Sequence, residues 1–534
     1  MNSVQYSLDQ CEASEVEVPS RQTGATGVPA FDAVAATVLG ALAGVSFVAH
    51  MLVAGNYGYF RDELYYIADG RHLQPGYVDQ PALIGWLAAL MRLIAGDGLV
   101  AIHVIPALAC ALLIVVTGLM ARELGGGRVA QVVAGVAATF ALIFMATGSI
   151  FSMDILDQLW WAVGGLILMR LLRRDSPRLW LFFGLVAGIA LLTKLTMLFF
   201  GLALVLALLV TPERRYLRTP WPWLAGGIAG LGLLPYVIWN AVNGWPTWEF
   251  WHHYGGIGTG PVDFFANQIE LLNPIAVPLA VAGLVFYFRK SESRYRLLGW
   301  AFVFLYLVLT LMRVKPYFLP PAYPMLFSAG AVVFERARPR PGLAWIRPVY
   351  VALLASVGIW LAPIAMPILQ PATFVSDYGF LTGVGNGGAG QSTVGAFPQY
   401  LGDRFGWDTL TQTVGQVYAD LSPAQRSQAC VYTDNYGEAG ALSQLGTAGR
   451  LPPIISGHNN YYLWGPGSCS GKVLIVVGRY LPLPLQSAYD DVTEAAIATC
   501  QYCIADENNL PIYVLSSPNG PDFATLWRSL KHYD

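Results

Sequence analysis

Charge is what this 534-residue chain has least of: Asp, Glu, Lys and Arg together make up 12% of it, against 55% hydrophobic residues. A soluble domain carries about twice that charged share, so most of the chain is not a water-dissolved globule. Short alternating segments of the kind that build a membrane β-barrel are missing. So is an extended basic stripe: Lys and Arg fall in small clusters between apolar runs, and no nucleic-acid partner is expected. There is no nucleophile elbow, HExxH pair, Walker loop or doubled CxxC zinc signature. Residues 1–30 are polar, lack the basic start and short apolar core of a cleaved signal, and read as a disordered cytoplasmic tail.

What is present is a series of apolar runs from Phe31 to Leu369, each long enough to cross a hydrocarbon core. Only helices cross singly without stranding backbone polar groups. Candidate spans lie near 32–54, 99–121, 129–148, 155–172, 179–193, 195–211, 221–242, 271–288, 296–312, 317–334 and 349–369. With the N-terminus in the cytoplasm, the arginine-rich loops around Arg122, Arg170–Arg178, Arg214–Arg218, Arg289–Arg296 and Arg336–Arg347 all fall inside. The opposite side keeps few basic residues, as the positive-inside rule asks. The expected architecture is an α-helical polytopic protein of the cytoplasmic membrane. It has about eleven spans over residues 31–369, an amphipathic first outside loop at 55–98, a linker at 370–400 and a small extracytoplasmic α/β domain at 401–534. Thr382–Thr393, rich in Gly, Ser and Thr, reads as flexible. In the C-terminal domain, strands are expected at Ala429–Thr433, Lys472–Gly478 and Pro511–Leu515, and amphipathic segments at Glu438–Leu445 and Asp522–Leu530.

Of six cysteines, Cys11 and Cys110 stand alone, while Cys430, Cys469, Cys500 and Cys503 share the C-terminal region. Outside the cytoplasm those four would form disulfides, with three pairings open. Cys500-x-x-Cys503 also has the spacing of a redox or metal pair.

Ionisable residues beside lipid are costly unless they serve a polar cavity. They concentrate in Tyr57–Trp86, where Arg61, Asp62, Glu63, Arg71, His72 and Asp79 follow the first span. Acids in a helix's first turn also serve as ordinary caps. Asp154 and Asp157 open another span three residues apart, on one helix face and on the same side of the membrane. Lys194 interrupts an apolar stretch, and Arg313, Lys315 and Tyr317 cluster on that side. Three cations converging there suit a phosphate, although each also has the makings of an interface anchor. The loop Asn243–Glu270 is rich in Trp and suits either the headgroup layer or a substrate contact, and its His252-His253 pair is weak as a metal signal.

Several short motifs occur in order on one membrane face: Arg61-Asp62-Glu63-Leu64-Tyr65-Tyr66, Gly76-Tyr77-Val78-Asp79-Gln80-Pro81, Met153-Asp154, Gly188 to Lys194, Trp239-Asn240…Gly244-Trp245-Pro246 and Lys315-Pro316-Tyr317-Phe318-Leu319-Pro320 with Tyr323-Pro324. In these the first 330 or so residues resemble the GT-C superfamily of membrane glycosyltransferases, in the branch of dolichyl-phosphate-mannose protein mannosyltransferases and ArnT-like aminoarabinose transferases. Tyr432–Ala439, Ser456–Asn460 and Leu463–Gly465 look like a tail domain of bacterial members.

The resemblance implies an inverting transferase that takes a sugar from a polyprenyl-phosphate donor and passes it to an envelope glycan, lipid or protein. An acid of the first outside loop would be the general base, a position that Asp62 fits, with Glu63 beside it in the catalytic pair. Asp79, Asp154 and His72 would contact substrate, and Lys194, Arg313 and Lys315, with Tyr317, would hold the phosphate. No cofactor or metal is expected, though some relatives bind a divalent ion. Asp79-Gln80-Pro81 stands where the aminoarabinose transferases carry a basic residue, which leaves the donor sugar open and speaks against lipid A modification specifically. A membrane transporter or flippase for a lipid-linked precursor is the competing reading, yet no repeat relates the two halves as transporters commonly show. An envelope assembly factor without activity is the third.

Overall fold

The computed structural model describes residues 32–254, 258–337, 342–382, 397–446 and 451–534. The expected N-terminal tail, with Cys11, and nearly all of Thr382–Thr393 fall outside the described residues.

The chain is a multi-pass membrane protein. Among the described residues, seven helices are long and apolar enough to cross: Ala33–Val53 (α1), Leu99–Glu123, Met153–Arg174, Trp221–Val242, Lys290–Leu311, Pro316–Arg336 and Ile346–Ala365. Three bent pairs bring the number to at most ten. The run read as 129–148 breaks by 60° between Arg128–Thr139 and Leu142–Gly148. The run at 271–288 belongs to a pair bent by 102°. Leu179–Thr193 is helical but only 15 residues long, about 22 Å against a core of about 30 Å. Hydropathy registers how apolar a run is, not whether it bends, so runs that the sequence offers as single spans are bent pairs here.

Between α1 and the second span lie two short helices, Arg61–Arg71 (α2) and Leu83–Ala95 (α3). Leu93 and Ile94 of α3 are exposed, as suits a helix lying along the membrane surface. Leu179–Thr193 packs on Trp221–Val242 at a backbone-to-backbone approach: a Cβ on Gly232 would lie 2.5 Å from the Gly188 carbonyl oxygen. Small residues admit such crossings where no hydrophobic force separates helix from lipid.

The C-terminal unit is a five-stranded sheet in the order Ile454–Ser456, Ala429–Thr433, Val473–Val477, Leu510–Pro518, Tyr489–Ala498. The first three strands run parallel and the last two pairings are antiparallel. Three strands stand where the sequence put them. Ile454–Ser456 escapes notice because it is three residues long, and Tyr489–Ala498 because it is an exposed, acidic edge strand without the apolar alternation that marks a strand. Pro371–Thr382, in the stretch read as linker, is helical, and its Phe374 stacks on Phe397 with ring centroids 4.6 Å apart. Cys430 and Cys469 are disulfide-bonded, whereas Cys500 and Cys503 are free thiols.

Candidate active site

The site is built on α2. Neighbours on a helix point about 100° apart, so Asp62 and Glu63 face different surroundings. Glu63 turns inward and is fully buried. Its carboxylate accepts the Phe60 N–H at 2.9 Å, closing the helix N-terminus, and the Phe151 N–H at 2.6 Å, and it faces His103 Nε2 at 2.6 Å. Burial pushes this carboxyl up, but His103, Arg404 and the Phe151 N–H hold it below its ordinary value. Glu63 is thereby engaged by three partners, a buried tie between α2, the second span and the 150s loop. Removing one partner of such a buried pair costs about 3 kcal/mol or more. Glu63→Gln is therefore expected to lower the melting temperature markedly while the folded fraction keeps its turnover, as denaturation curves read beside activity per folded protein would show.

Asp62 keeps 30% of its side chain exposed. Its Oδ1 accepts the Tyr436 hydroxyl at 2.8 Å and lies 3.9 Å from Arg61 Nε. Tyr436 comes from the C-terminal domain, at the start of the helix Tyr436–Leu445, and stacks on Tyr65 at 4.5 Å. Two glycines make this docking close: a Cβ on Gly437 would meet Arg61 Cγ at 2.3 Å, and one on Gly440 would meet Leu64 Cβ at 2.8 Å. Tyr65 donates to Asp79 at 3.0 Å, and burial pushes the Asp79 carboxyl up to about 7. One turn further along α2, Asp69 accepts from Gln80 at 2.7 Å and from Asn460 of the C-terminal domain at 2.8 Å.

Tyr66 is the centre of the cluster, since the charges of Asp62, Asp79 and Asp154 all bear on its hydroxyl. Asp154 pairs with the Lys194 ammonium, which also lies 4.9 Å above the rings of Tyr317 and Phe318. The structure thus brings Asp62, Asp79, Asp154, Lys194 and Tyr317 into one neighbourhood. Asp157 is buried and bonded to Thr196 and Trp161. His72 turns away from Asp62 and stacks on Trp464 at 4.1 Å. Arg313 is exposed, with φ of 51°, and its carbonyl accepts the Thr259 N–H; Lys315 is half-buried. His103, Asp69 and Arg404 had no signal in the sequence beyond their type, except that Asp69 is seven residues from Asp62 and shares its helix face. Tyr436 and Asn460 lie in the segments that resemble a bacterial tail domain, which gave no hint that they reach α2.

Beneath Tyr436 lies a second polar group: Arg61, Asp403, Glu438 and Glu507. Arg61 Nη2 is 3.9 Å from Asp403, and Asn435 Nδ2 donates to Glu507 at 3.0 Å. Burial pushes Asp403 up to about 6 against the pull of Arg61, and raises Glu438 and Glu507 as well. Carboxyls raised in the folded state bind more protons there than in the unfolded chain, so stability falls as pH rises through those values. Thermal midpoints measured from pH 5 to pH 8 are expected to decline, most steeply between about 5 and 7, and a flat or rising profile would contradict this assignment.

For a metal, one trio among the described residues has suitable placement: His458, His532 and Asp534 bring ligand atoms within 4.8 Å of one another. Its imidazoles are already engaged, however. His458 accepts the Tyr436 N–H and meets Asp534, and His532 faces the carbonyls of Leu530 and Asp434.

Comparison with known proteins bears on the fold. Residues 79–239 match the family described as dolichyl-phosphate-mannose-protein mannosyltransferase. Lipid A galacturonosyltransferase RgtD of Rhizobium johnstonii is 26% identical over 268 residues, 47% of this chain, and the match spans about half (55%) of that relative. The crystal structure of ArnT from Cupriavidus metallidurans bound to undecaprenyl phosphate superposes with a TM-score of 0.57 at 15% identity, covering 92% of this chain and 100% of that one. The apo form of ArnT gives 0.59 at 16%, covering 91% and 99%. The fold is shared along nearly the whole length, C-terminal sheet domain included.

Proposed function

We propose that this chain, an ArnT-like GT-C membrane protein, transfers a sugar from a polyprenyl-phosphate donor to an envelope acceptor. The observation that carries the reading is the state of Asp62. Its side chain is 30% exposed, about as open as that of Asp154 at 28%, but Asp154 is taken up by Lys194 whereas Asp62 is held by the Tyr436 hydroxyl, with Arg61 3.9 Å away.

A hydroxyl is a poor nucleophile until a positioned base takes its proton. Asp62 takes that proton from the acceptor while its oxygen attacks the anomeric carbon from the side opposite the phosphate, inverting the centre. The C–O bond to the phosphate breaks, and the polyprenyl phosphate departs with the bonding pair. Lys194 meets the charge that develops on it, so no general acid is required. Asp154 orients that ammonium, and Asp79, held by Tyr65, lines the acceptor side. The site then belongs on the extracytoplasmic face of the cytoplasmic membrane, with the N-terminus inside, as the arginine-rich loops require. The name of the RgtD relative supports a lipid A-type acceptor, contrary to the expectation drawn from Asp79-Gln80-Pro81, and that segment then argues only for a donor sugar other than aminoarabinose.

The test is transfer by purified protein in lipid, from a panel of radiolabelled undecaprenyl-phosphate sugars to lipid, glycan and peptide acceptors. A labelled product with the opposite anomeric configuration supports the reading. Donor crossing the bilayer without any transfer would replace it with a flippase.

A further inference from the structure

Cys500 and Cys503 serve nothing described above. They lie in the loop between Tyr489–Ala498 and Leu510–Pro518, Cys500 half-exposed and Cys503 buried. The Cys503 N–H donates to Cys500 Sγ at 3.1 Å, while Cys503 Sγ faces the carbonyls of Cys500 and Glu507 at 3.5 Å each. A small cavity opens beside Cys500, lined also by Gly406, Trp407 and Glu507. Gly406 has φ of 96°, and a Cβ there would crowd Cys500 Sγ at 3.2 Å. The same domain carries a formed disulfide, Cys430–Cys469, so its environment oxidises thiols. Among the described residues no His or carboxylate joins the pair in metal-holding geometry.

An accessible thiol beside a buried one, with a backbone N–H aimed at the first, is the arrangement in which the outer sulfur attacks and the inner one resolves. Hydrogen bonding from Cys503 draws the Cys500 thiol down to about 7, and the same contact pushes Cys503 up. The loop is also tied to Asp62. The Glu507 carbonyl receives Cys503 Sγ, its carboxylate accepts from Asn435, and Asn435 caps the helix whose Tyr436 holds Asp62.

We propose that Cys500 and Cys503 form a reversible dithiol–disulfide site whose state is felt, through Glu507 and Asn435, by the helix that covers Asp62. The co-reactant is a disulfide, of a small thiol or of a partner protein. The Cys500 thiolate attacks one of its sulfurs, forming a mixed disulfide and expelling a thiolate. The Cys503 sulfur then attacks Cys500, expelling the second thiolate. The two cysteine protons pass to the departing thiolates: two electrons leave the protein, and the disulfide is reduced to two thiols. The redox half stands without the transferase reading; only the meaning given to Asp62 borrows from it.

The test uses the full-length protein in lipid, equilibrated with glutathione and glutathione disulfide at graded ratios, trapped by alkylation and mapped at Cys500 and Cys503. Both thiols are expected to disappear together in one two-electron transition that dithiothreitol reverses. Thiols alkylated at every ratio, or a bridge that reductant cannot open in the folded protein, would each overturn the site. Hydrogen–deuterium exchange of residues 435–445 is expected to change several-fold between the two states in the wild type and to ignore the buffer in Cys500→Ser. Equal exchange in both states would overturn the link to the helix. Neither readout depends on sugar transfer, so failure here and failure of the transferase reading are told apart.

Discussion

Asp62→Asn is expected to reduce sugar transfer by roughly 10²–10⁴-fold, the usual contribution of a positioned base. The substitution keeps the shape of the side chain and an oxygen for the Tyr436 hydroxyl, so folding and donor binding should survive it. The loss should therefore appear in kcat, with the donor KM and the melting temperature near those of the wild type. The variant that separates the two acids is Glu63→Gln, which should lose stability and keep turnover. The reverse pattern, an active Asp62→Asn and a stable but inactive Glu63→Gln, would move the base to Glu63.

Lys194→Gln carries the second large expectation, a fall in kcat of about 10²–10³-fold, comparable with removing one donor from a preorganised site for developing charge. The ammonium lies between Asp154 and the faces of Tyr317 and Phe318. That setting fixes its position before the phosphate arrives. Lys194→Arg retains the charge in a different shape and should recover part of the rate. If Lys194 were only an interface anchor, both variants would turn over like the wild type and differ from it in stability alone. Measuring kcat at saturating donor separates these outcomes.

The membrane part and the gathering of several ionisable residues near α2 were legible in the sequence because their signals are local. Apolar runs announce spans, and a concentration of ionisable groups after the first of them announces a polar cavity. The partners of those groups were not legible. Glu63 reads as the companion of Asp62 because it is adjacent in the chain. Yet neighbouring helix positions do not face each other, and Glu63 belongs to His103 in the following span. Tyr436 is separated from Asp62 by 374 residues, and Asn460 from Asp69 by 391. No periodicity in α2 reports contacts made at that distance. His72 was drawn in by its place among charged residues, and the structure gives it an indole to stack on instead.

The close seating of Gly437 and Gly440 on α2 bears on how such proteins can be recombined. A soluble domain joined by a loose tether could be exchanged between relatives as a module. Here the domain contributes the hydroxyl on Asp62 and the amide on Asp69, and it reaches both only because two of its positions have no side chain. A chimera that takes the domain from one protein and the membrane part from another must therefore inherit α2 and the helix Tyr436–Leu445 as a matched pair. The inheritable unit of this protein crosses the boundary between its two parts.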